Sequence, residues 1–275
     1  MNAPERLPPK AQALAMADVQ SLPDARDMAI DAVGIRGLRH PITVTGRDGG
    51  KQATVAEFQL TVGLPPEVKG THMSRLVELV DQWQAPLNAA SLRGLGALLL
   101  ERLGASQGEI DISFPYFIRK HAPVSGLGSL LDYQAGARVS ATAGAPTTVS
   151  LSLRTAVTSL CPCSREISEY GAHNQRSHIV IEAELASSAA GLSLEDLART
   201  AEEAASCEIW GILKRPDEKY VTERAYDNPR FVEDLVREVA MALDRNEAVA
   251  GYRVEVENFE SIHNHSACAR ITRRK

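Results

Sequence analysis

Apolar and polar residues alternate from Ile35 to Thr45 and again from Thr54 to Val62, where Phe58, Leu60 and Val62 share one face. This period of two predicts two strands. The link Arg47-Asp48-Gly49-Gly50 predicts a tight hairpin turn, because Asp-Gly and Gly-Gly tolerate positive φ. From Ser74 the period changes: Leu76, Leu79 and Val80 recur at helical spacing, Pro86 interrupts, and Leu92, Leu95, Leu99 and Leu103 resume, so two helices are expected. Alternation returns over Glu109 to Arg119, and Gly144-Ala145-Pro146 cuts Ala137 to Val157 into a further hairpin.

The order then repeats. Val149 to Val157 and Ser177 to Leu185 read as strands, and Leu194 to Leu213 as an amphipathic helix capped by Ser193. Asn228-Pro229 reads as the start of another helix, with Val232, Leu235, Val236, Val239 and Leu243 as its buried stripe. Tyr252, Val254 and Val256 alternate as a strand, and Ala269 to Arg274 is its expected partner. The expectation is an α+β fold of two ββααββ units, residues 21–145 and 146–275, with antiparallel sheets and helices on one face. Residues 1–20, with Pro8, Pro9 and no periodic apolar face, read as a flexible arm.

Composition narrows the function classes. With 275 residues, 44% hydrophobic and 24% charged, the chain is long enough for a real core. A net charge of -5 and the lack of any basic run argue against a nucleic-acid partner. No stretch approaches the roughly twenty apolar residues of a membrane span. Residues 1–20 lack the apolar core of a signal peptide. The cytoplasm is the expected compartment, where paired cysteines more often signal metal or catalysis than a disulfide.

Candidate chemistry concentrates in TSLCPCSREISEYGAHNQRSH, residues 158–178. Cys161 and Cys163 follow a predicted strand and are expected in a loop; on spacing alone, two ordinary half-buried thiols are as good a reading as a site. His173 in Gly-Ala-His-Asn changes the balance, because that turn exposes the ring. Cys161 with His173 gives two zinc-compatible donors, and a third from elsewhere would leave a position open for water. Cys207, in a predicted helix, and Cys268, near the C-terminus, do not suit a closed four-cysteine site.

Further candidates lie elsewhere. Glu218 stands in the charged run 214–236, which on pattern reads equally as a solvated face. Glu233, beside the apolar stripe of its helix and near the N-terminal turn, can accept two parallel hydrogen bonds from a planar N–H pair such as the edge of guanine. His263 and His265, at the end of a strand-like run, could supply acid and base near neutral pH. Thr71, His72, Ser74 and Arg75 open a helix, where free N–H groups and Arg75 suit phosphate; capping by Ser74 is the plainer reading.

Taken together, SLCPCSREISEYGAHNQRSH, KGTHMSR, KRPDEKYVTE, NPRFVEDLVR and ESIHNHSA closely resemble the type IB GTP cyclohydrolase I family, in the same order and from about Asp18 to near the C-terminus. The resemblance implies a tandem tunnelling fold, a homotetramer with pockets at subunit interfaces, and hydrolysis of GTP to 7,8-dihydroneopterin triphosphate and formate, the opening of folate-type pterin synthesis. It implies that Cys161, His173 and Glu218 hold a divalent metal, zinc or manganese, that Glu233 anchors guanine, and that His263 and His265 move protons. Cys163 is matched as a second thiol that competes for the metal when the site is empty or oxidised. His72, Ser74, Arg75 and Arg176 are implied for the substrate, with Lys69 a further basic candidate. Two other readings stand beside it: a tunnelling-fold nitrile reductase with a nucleophilic cysteine and NADPH as hydride source, and a non-catalytic metal-dependent assembly or nucleotide-binding module.

Overall fold

The computed structural model describes residues 18–20, 22–187 and 191–275. Nearly all of the expected N-terminal arm and the centre of the Ala/Ser-rich link 186–191 lie outside the described residues. The described chain forms one eight-stranded sheet in which the strands stand in chain order, each antiparallel to its neighbours. The strands are β1 (Ile30–Thr45), β2 (Lys51–Leu64), β3 (Gln107–His121), β4 (Gly128–Thr142), β5 (Thr148–Leu160), β6 (Asn174–Leu185), β7 (Val249–Asn258) and β8 (Ala267–Arg274). Helices α1 (Met73–Gln82) and α2 (Ala89–Leu103) follow β2, α3 (Pro162–Ile167) follows β5, and α4 (Leu194–Ala204), α5 (Arg215–Asp227) and α6 (Val232–Arg245) follow β6. β4 pairs with β5 from Gln134↔Arg154 to Ser140↔Thr148, so the sheet runs unbroken past residue 145.

The alternation read in the sequence decides which face is covered. Phe58, Leu60, Ile110, Phe114, Leu153, Ile179 and Ile181 are buried against Leu76, Leu79, Leu92, Leu95 and Leu99 of α1 and α2 and the apolar stripes of α4 and α6. Burying each such side chain stabilises by about 1.5–3 kcal/mol, so the face is held chiefly by apolar area. Residues of opposite parity, such as Glu57, Gln59, Asp111, Arg138, Arg154 and Glu182, line an open polar hollow of about 630 Å³ on the other face. The β1–β2 turn forms as expected: Gly46 N–H donates to Gly50 O at 2.8 Å, and Gly49 takes φ 79°, a conformation that favours glycine.

Four local expectations are corrected. The segment after β5 is not a loop but the short helix α3, with Pro162 at its first turn and Cys161 as N-cap. The helix from Leu194 stops at Ala204, because Cys207 exchanges backbone hydrogen bonds with Thr158 (2.9 and 3.3 Å) and the Ser206 hydroxyl accepts from Leu160 N–H. Asn228 does not start a helix: it ends α5, its side chain donating to Ala205 O at 2.8 Å, and α6 begins at Val232. Ser74 does not cap α1, whose N-cap is His72, with Nε2 3.2 Å from Asp18. Among the described residues no helix is long and apolar enough to cross a membrane.

Candidate active site

The antiparallel register gives the sheet two ends. β1, β3, β5 and β7 finish at one of them, where β6 and β8 also begin. Two links meet there: residues 161–173 between β5 and β6, and residues 259–266 between β7 and β8. Cys161 N–H donates to His173 O at 3.1 Å, extending the β5–β6 ladder by one bond and bringing the thiol and the imidazole to one place. The Cys161 sulfur accepts from Ser164 N–H at 3.4 Å. Ser164 Oγ accepts from His173 N–H at 3.2 Å, so one serine ties both halves of the link.

His173 is held on its other side. Its Nδ1 lies 3.0 Å from Gln175 Oε1 and 3.9 Å from Glu260 Oε2. Gln175 is buried and donates to Ser159 Oγ, which shares a 2.7 Å hydrogen bond with Ser177 Oγ. Such a chain fixes the ring's orientation and leaves its second nitrogen for other work.

The second link is pinned by Phe259, whose N–H donates to Arg176 O at 3.0 Å and whose ring meets the His178 ring edge-on at 4.8 Å. Burial, with Arg154 and Arg176 nearby, holds His178 below the ordinary imidazole pKa, which favours the neutral ring. His263 and His265 are not at a strand end as expected but in the turn 261–265, exposed and stacked with ring centroids 5.0 Å apart. The turn's backbone, with His263 N–H donating to Glu260 O at 3.2 Å, brings them beside Glu260.

The remaining candidates are spread over α5, α6, the start of α1 and the site's own end of the sheet. Glu218 is exposed in the first turn of α5. The far end of that helix touches α3, where Arg165 lies over the Tyr226 ring at 4.7 Å. At 1.5 Å per residue, Glu218 stands about 12 Å up the helix from that contact. Glu233 is exposed on α6, and Arg176 and Cys163 are exposed at the site's own end of the sheet. His72, Ser74 and Arg75 follow β2, whose end lies opposite the one that carries Cys161. Among the described residues no group of three or more His, Cys, Asp or Glu side chains could hold a metal ion. A soft sulfur, an imidazole and the nearby Glu260 oxygen nevertheless match what a borderline divalent cation takes, so the donor chemistry fits such an ion as an incomplete set.

A family model described as type I GTP cyclohydrolase folE2 matches residues 16–269. The chain belongs to the type I GTP cyclohydrolase FolE2 family. GTP cyclohydrolase FolE2 1 of Dechloromonas aromatica is 55% identical over 271 residues, covering 98% of both chains. GTP cyclohydrolase FolE2 of Paraburkholderia xenovorans is 56% identical over 263 residues, covering 96% of this chain and 97% of the relative. Among solved structures, urate oxidase from Bacillus subtilis 168 superposes with a TM-score of 0.52 at 9% identity, covering 90% of this chain and 99% of the other. Urate oxidase from Bacillus sp. TB-90 gives 0.51 at 8%, covering 90% and 100%. At such identities the likeness shows the fold alone, and it is consistent with a tunnelling fold.

In this FolE2-family chain two residues of interest escaped the sequence reading. Glu260 opens the ESIHNHSA motif yet carries no spacing signal of its own; only the packing of the second link against β6 puts it beside His173. Asp217 sits in the same charged run as Glu218 but is fully buried. Burial opposes its ionisation, yet hydrogen bonds from Ser125, Lys214 and Val124 outweigh that and hold its carboxyl well below the usual range. A buried carboxylate in a run of surface charges cannot be told from its neighbours by pattern.

Proposed function

We infer that this chain is a GTP cyclohydrolase I, hydrolysing GTP at purine C8 to release formate and yield 7,8-dihydroneopterin triphosphate for folate-type pterin synthesis. The observation that carries this is the 55–57% identity to GTP cyclohydrolases FolE2 over nearly the whole chain. The geometry of the two links supports the chemistry.

Cys161 and His173 would hold a divalent cation, zinc or manganese, with Glu218 as a further ligand and Glu260 close enough to His173 to join them. When bound, the cation supplies a Lewis acid that brings the pKa of water toward about 7. The chain's own residues do the rest. Glu233 accepts two hydrogen bonds from the guanine edge and so orients C8. His263 and His265, stacked and exposed, give and take protons at N7 and at the nitrogen freed when the ring opens. His72, Ser74, Arg75 and Arg176 serve the triphosphate. Cys163 is the exposed second thiol at the catalytic link.

The spread of these residues over both ends of the sheet and along α5 supports a site completed by another copy, in a homo-oligomer of tetrameric type. Ile167 (79% exposed), Tyr170 (97%) and Ile262 (63%) stand bare on the two links, as side chains awaiting an interface do. Two units meeting near residue 145 are supported by the element order, with β1–β2–α1–α2–β3–β4 followed by β5–β6–α4–α6–β7–β8 and with α3 and α5 as additions. A cytoplasmic enzyme accords with four free thiols. The test is to incubate zinc- or manganese-loaded protein with GTP and follow formate and pterin fluorescence. Turnover that a chelator abolishes and metal restores is expected; absence of formate under every metal would refute the reading.

A further inference from the structure

The geometry points to Asp217 as the positioning residue for Glu218: it locks the start of α5 to the tip of the β3–β4 hairpin, so that the Glu218 carboxylate is presented from a fixed base. The inference rests on the reading of Glu218 as a metal-holding carboxylate and adds how the chain aims it.

Helix α5 has no apolar stripe to fix its beginning. Its surface is polar nearly all round, and Ala225, close to its other end, is its one buried apolar residue. A short helix without an apolar stripe is not oriented by packing. At its first turn the Asp217 side chain is wholly buried and every lone-pair direction is used. Oδ1 accepts from Val124 N–H and Ser125 N–H, both at 2.8 Å. Oδ2 accepts from the Ser125 hydroxyl at 2.7 Å and from Lys214 N–H at 2.8 Å. Lys214 is the N-cap of α5, so one carboxylate both caps the helix and bolts it to a hairpin some ninety residues away in sequence.

The segment leading into α5 is fastened to the same hairpin. Trp210 Nε1 donates to His121 O at 2.9 Å. Lys120 Nζ donates to Ile209 O at 2.9 Å and to Glu202 at 2.7 Å, and lies 4.9 Å from the centre of the Trp210 ring. Gly211 runs so close to β4 that a Cβ there would come within 2.9 Å of Leu130 O. The chain is therefore held on approach and locked at Asp217, one residue before Glu218. By contrast, the Glu218 carboxylate is exposed and makes no hydrogen bond or ion pair among the described residues. A saturated, buried anchor beside a free, exposed carboxylate is how a ligand is aimed at something outside its own helix.

The test compares Asp217→Asn, Ser125→Ala and Glu218→Gln in the full-length protein. Zinc affinity of the metal-free protein is read by competition with a chromophoric chelator, kcat and KM for formate release from GTP by steady-state kinetics, and folding by circular dichroism. Asp217→Asn is expected to weaken zinc binding and lower kcat each by about tenfold, as loss of a ligand's support does, with KM for GTP within about twofold. Ser125→Ala, which removes a single donor and leaves the carboxylate in place, is expected to shift both in the same direction by about threefold. It carries the test where Asp217→Asn does not accumulate as folded protein. Folded Asp217→Asn or Ser125→Ala with wild-type zinc affinity and kcat, beside a Glu218→Gln that has lost both, overturns the positioning role alone. Glu218→Gln with wild-type zinc affinity and turnover overturns the ligand reading, and the positioning role with it.

Discussion

The stretches Ile30–Thr142 and Thr148–Arg274 build their halves of the sheet alike and differ in what joins the strands. In the first, residues 46–50 close β1 onto β2 through an Asp-Gly-Gly turn, and residues 122–127 close β3 onto β4; both serve to reverse the chain. In the second, the corresponding links are residues 161–173, with a helix of their own, and residues 259–266, and they hold Cys161, Cys163, His173, Glu260, His263 and His265. The framework and core are of one kind throughout, so what sets the second stretch apart is the set of thiols, imidazoles and the Glu260 carboxylate that its links carry. The first stretch still takes part, since its β3–β4 tip anchors α5.

The sharpest way to break that contrast is to cut one residue from each kind of link. Cys161→Ala is expected to lower formate release from GTP by at least about a hundredfold and to empty the metal, since a site with too few donors binds little. Asp48→Ala removes only the 2.9 Å bond from Gly50 N–H and is expected to cost about 1 kcal/mol in urea unfolding, with turnover unchanged. Metal content and rate that survive Cys161→Ala would place the chemistry outside the links.

His263→Ala and His265→Ala come next. A positioned acid or base is worth about a hundredfold or more, so kcat should fall by that factor. Both rings are exposed, so the melting temperature should hold within about 2 °C. Equal losses in the two variants would fit a stacked pair acting together. Wild-type turnover in both would remove the second link from the mechanism.

Most of this contrast is legible in the sequence on the framework side and much less on the link side. Period-two runs such as Phe58, Leu60, Val62 and the stripe Leu235, Val236, Val239, Leu243 predict their elements because burial of one face imposes the spacing. Helix α5 leaves no such trace, because bonds to Asp217 hold its start in place of an apolar stripe. Cys207 reads as helical because Ala201, Ala204 and Ala205 continue the pattern up to it; the backbone bridge to Thr158 then wins. The motif residues Cys161 and His173 are visible as types, but their meeting depends on the β5–β6 register, the Cys161–His173 backbone bond and the bonds of Ser164, and Glu218 is separated from them by a helix whose direction no spacing reveals.

If the two stretches share one core, their core deletions should behave alike. Leu60→Ala and Leu153→Ala remove side chains that are fully buried on either side of the β4–β5 seam, and each is expected to cost about 2–5 kcal/mol in a single urea transition. Two separated transitions in the Leu60 variant would mean that the stretches unfold independently, whatever the sheet's hydrogen bonds connect.

The smallest effect tests the boundary between link and framework through the two cysteines nearest it. Cys163 is exposed on the link, whereas Cys207 is buried where its segment bridges to β5. Burial, assisted by the negative charge of Glu208, pushes the Cys207 thiol from its ordinary value near 9 up to about 11. A folded-state pKa raised above the unfolded one means that the native chain holds this proton more tightly. The contribution is therefore complete below about pH 8.5 and disappears as the pH rises through about 11. Cys207→Ala lacks that dependence and carries only a constant packing cost. The difference in unfolding free energy between wild type and variant should accordingly shrink by up to roughly 2 kcal/mol between pH 8.5 and 11, by urea titration at each pH, while other titrating groups cancel in the subtraction. Parallel curves would mean that Cys207 reaches solvent as Cys163 does, and maleimide would then label both thiols in the native protein at comparable rates.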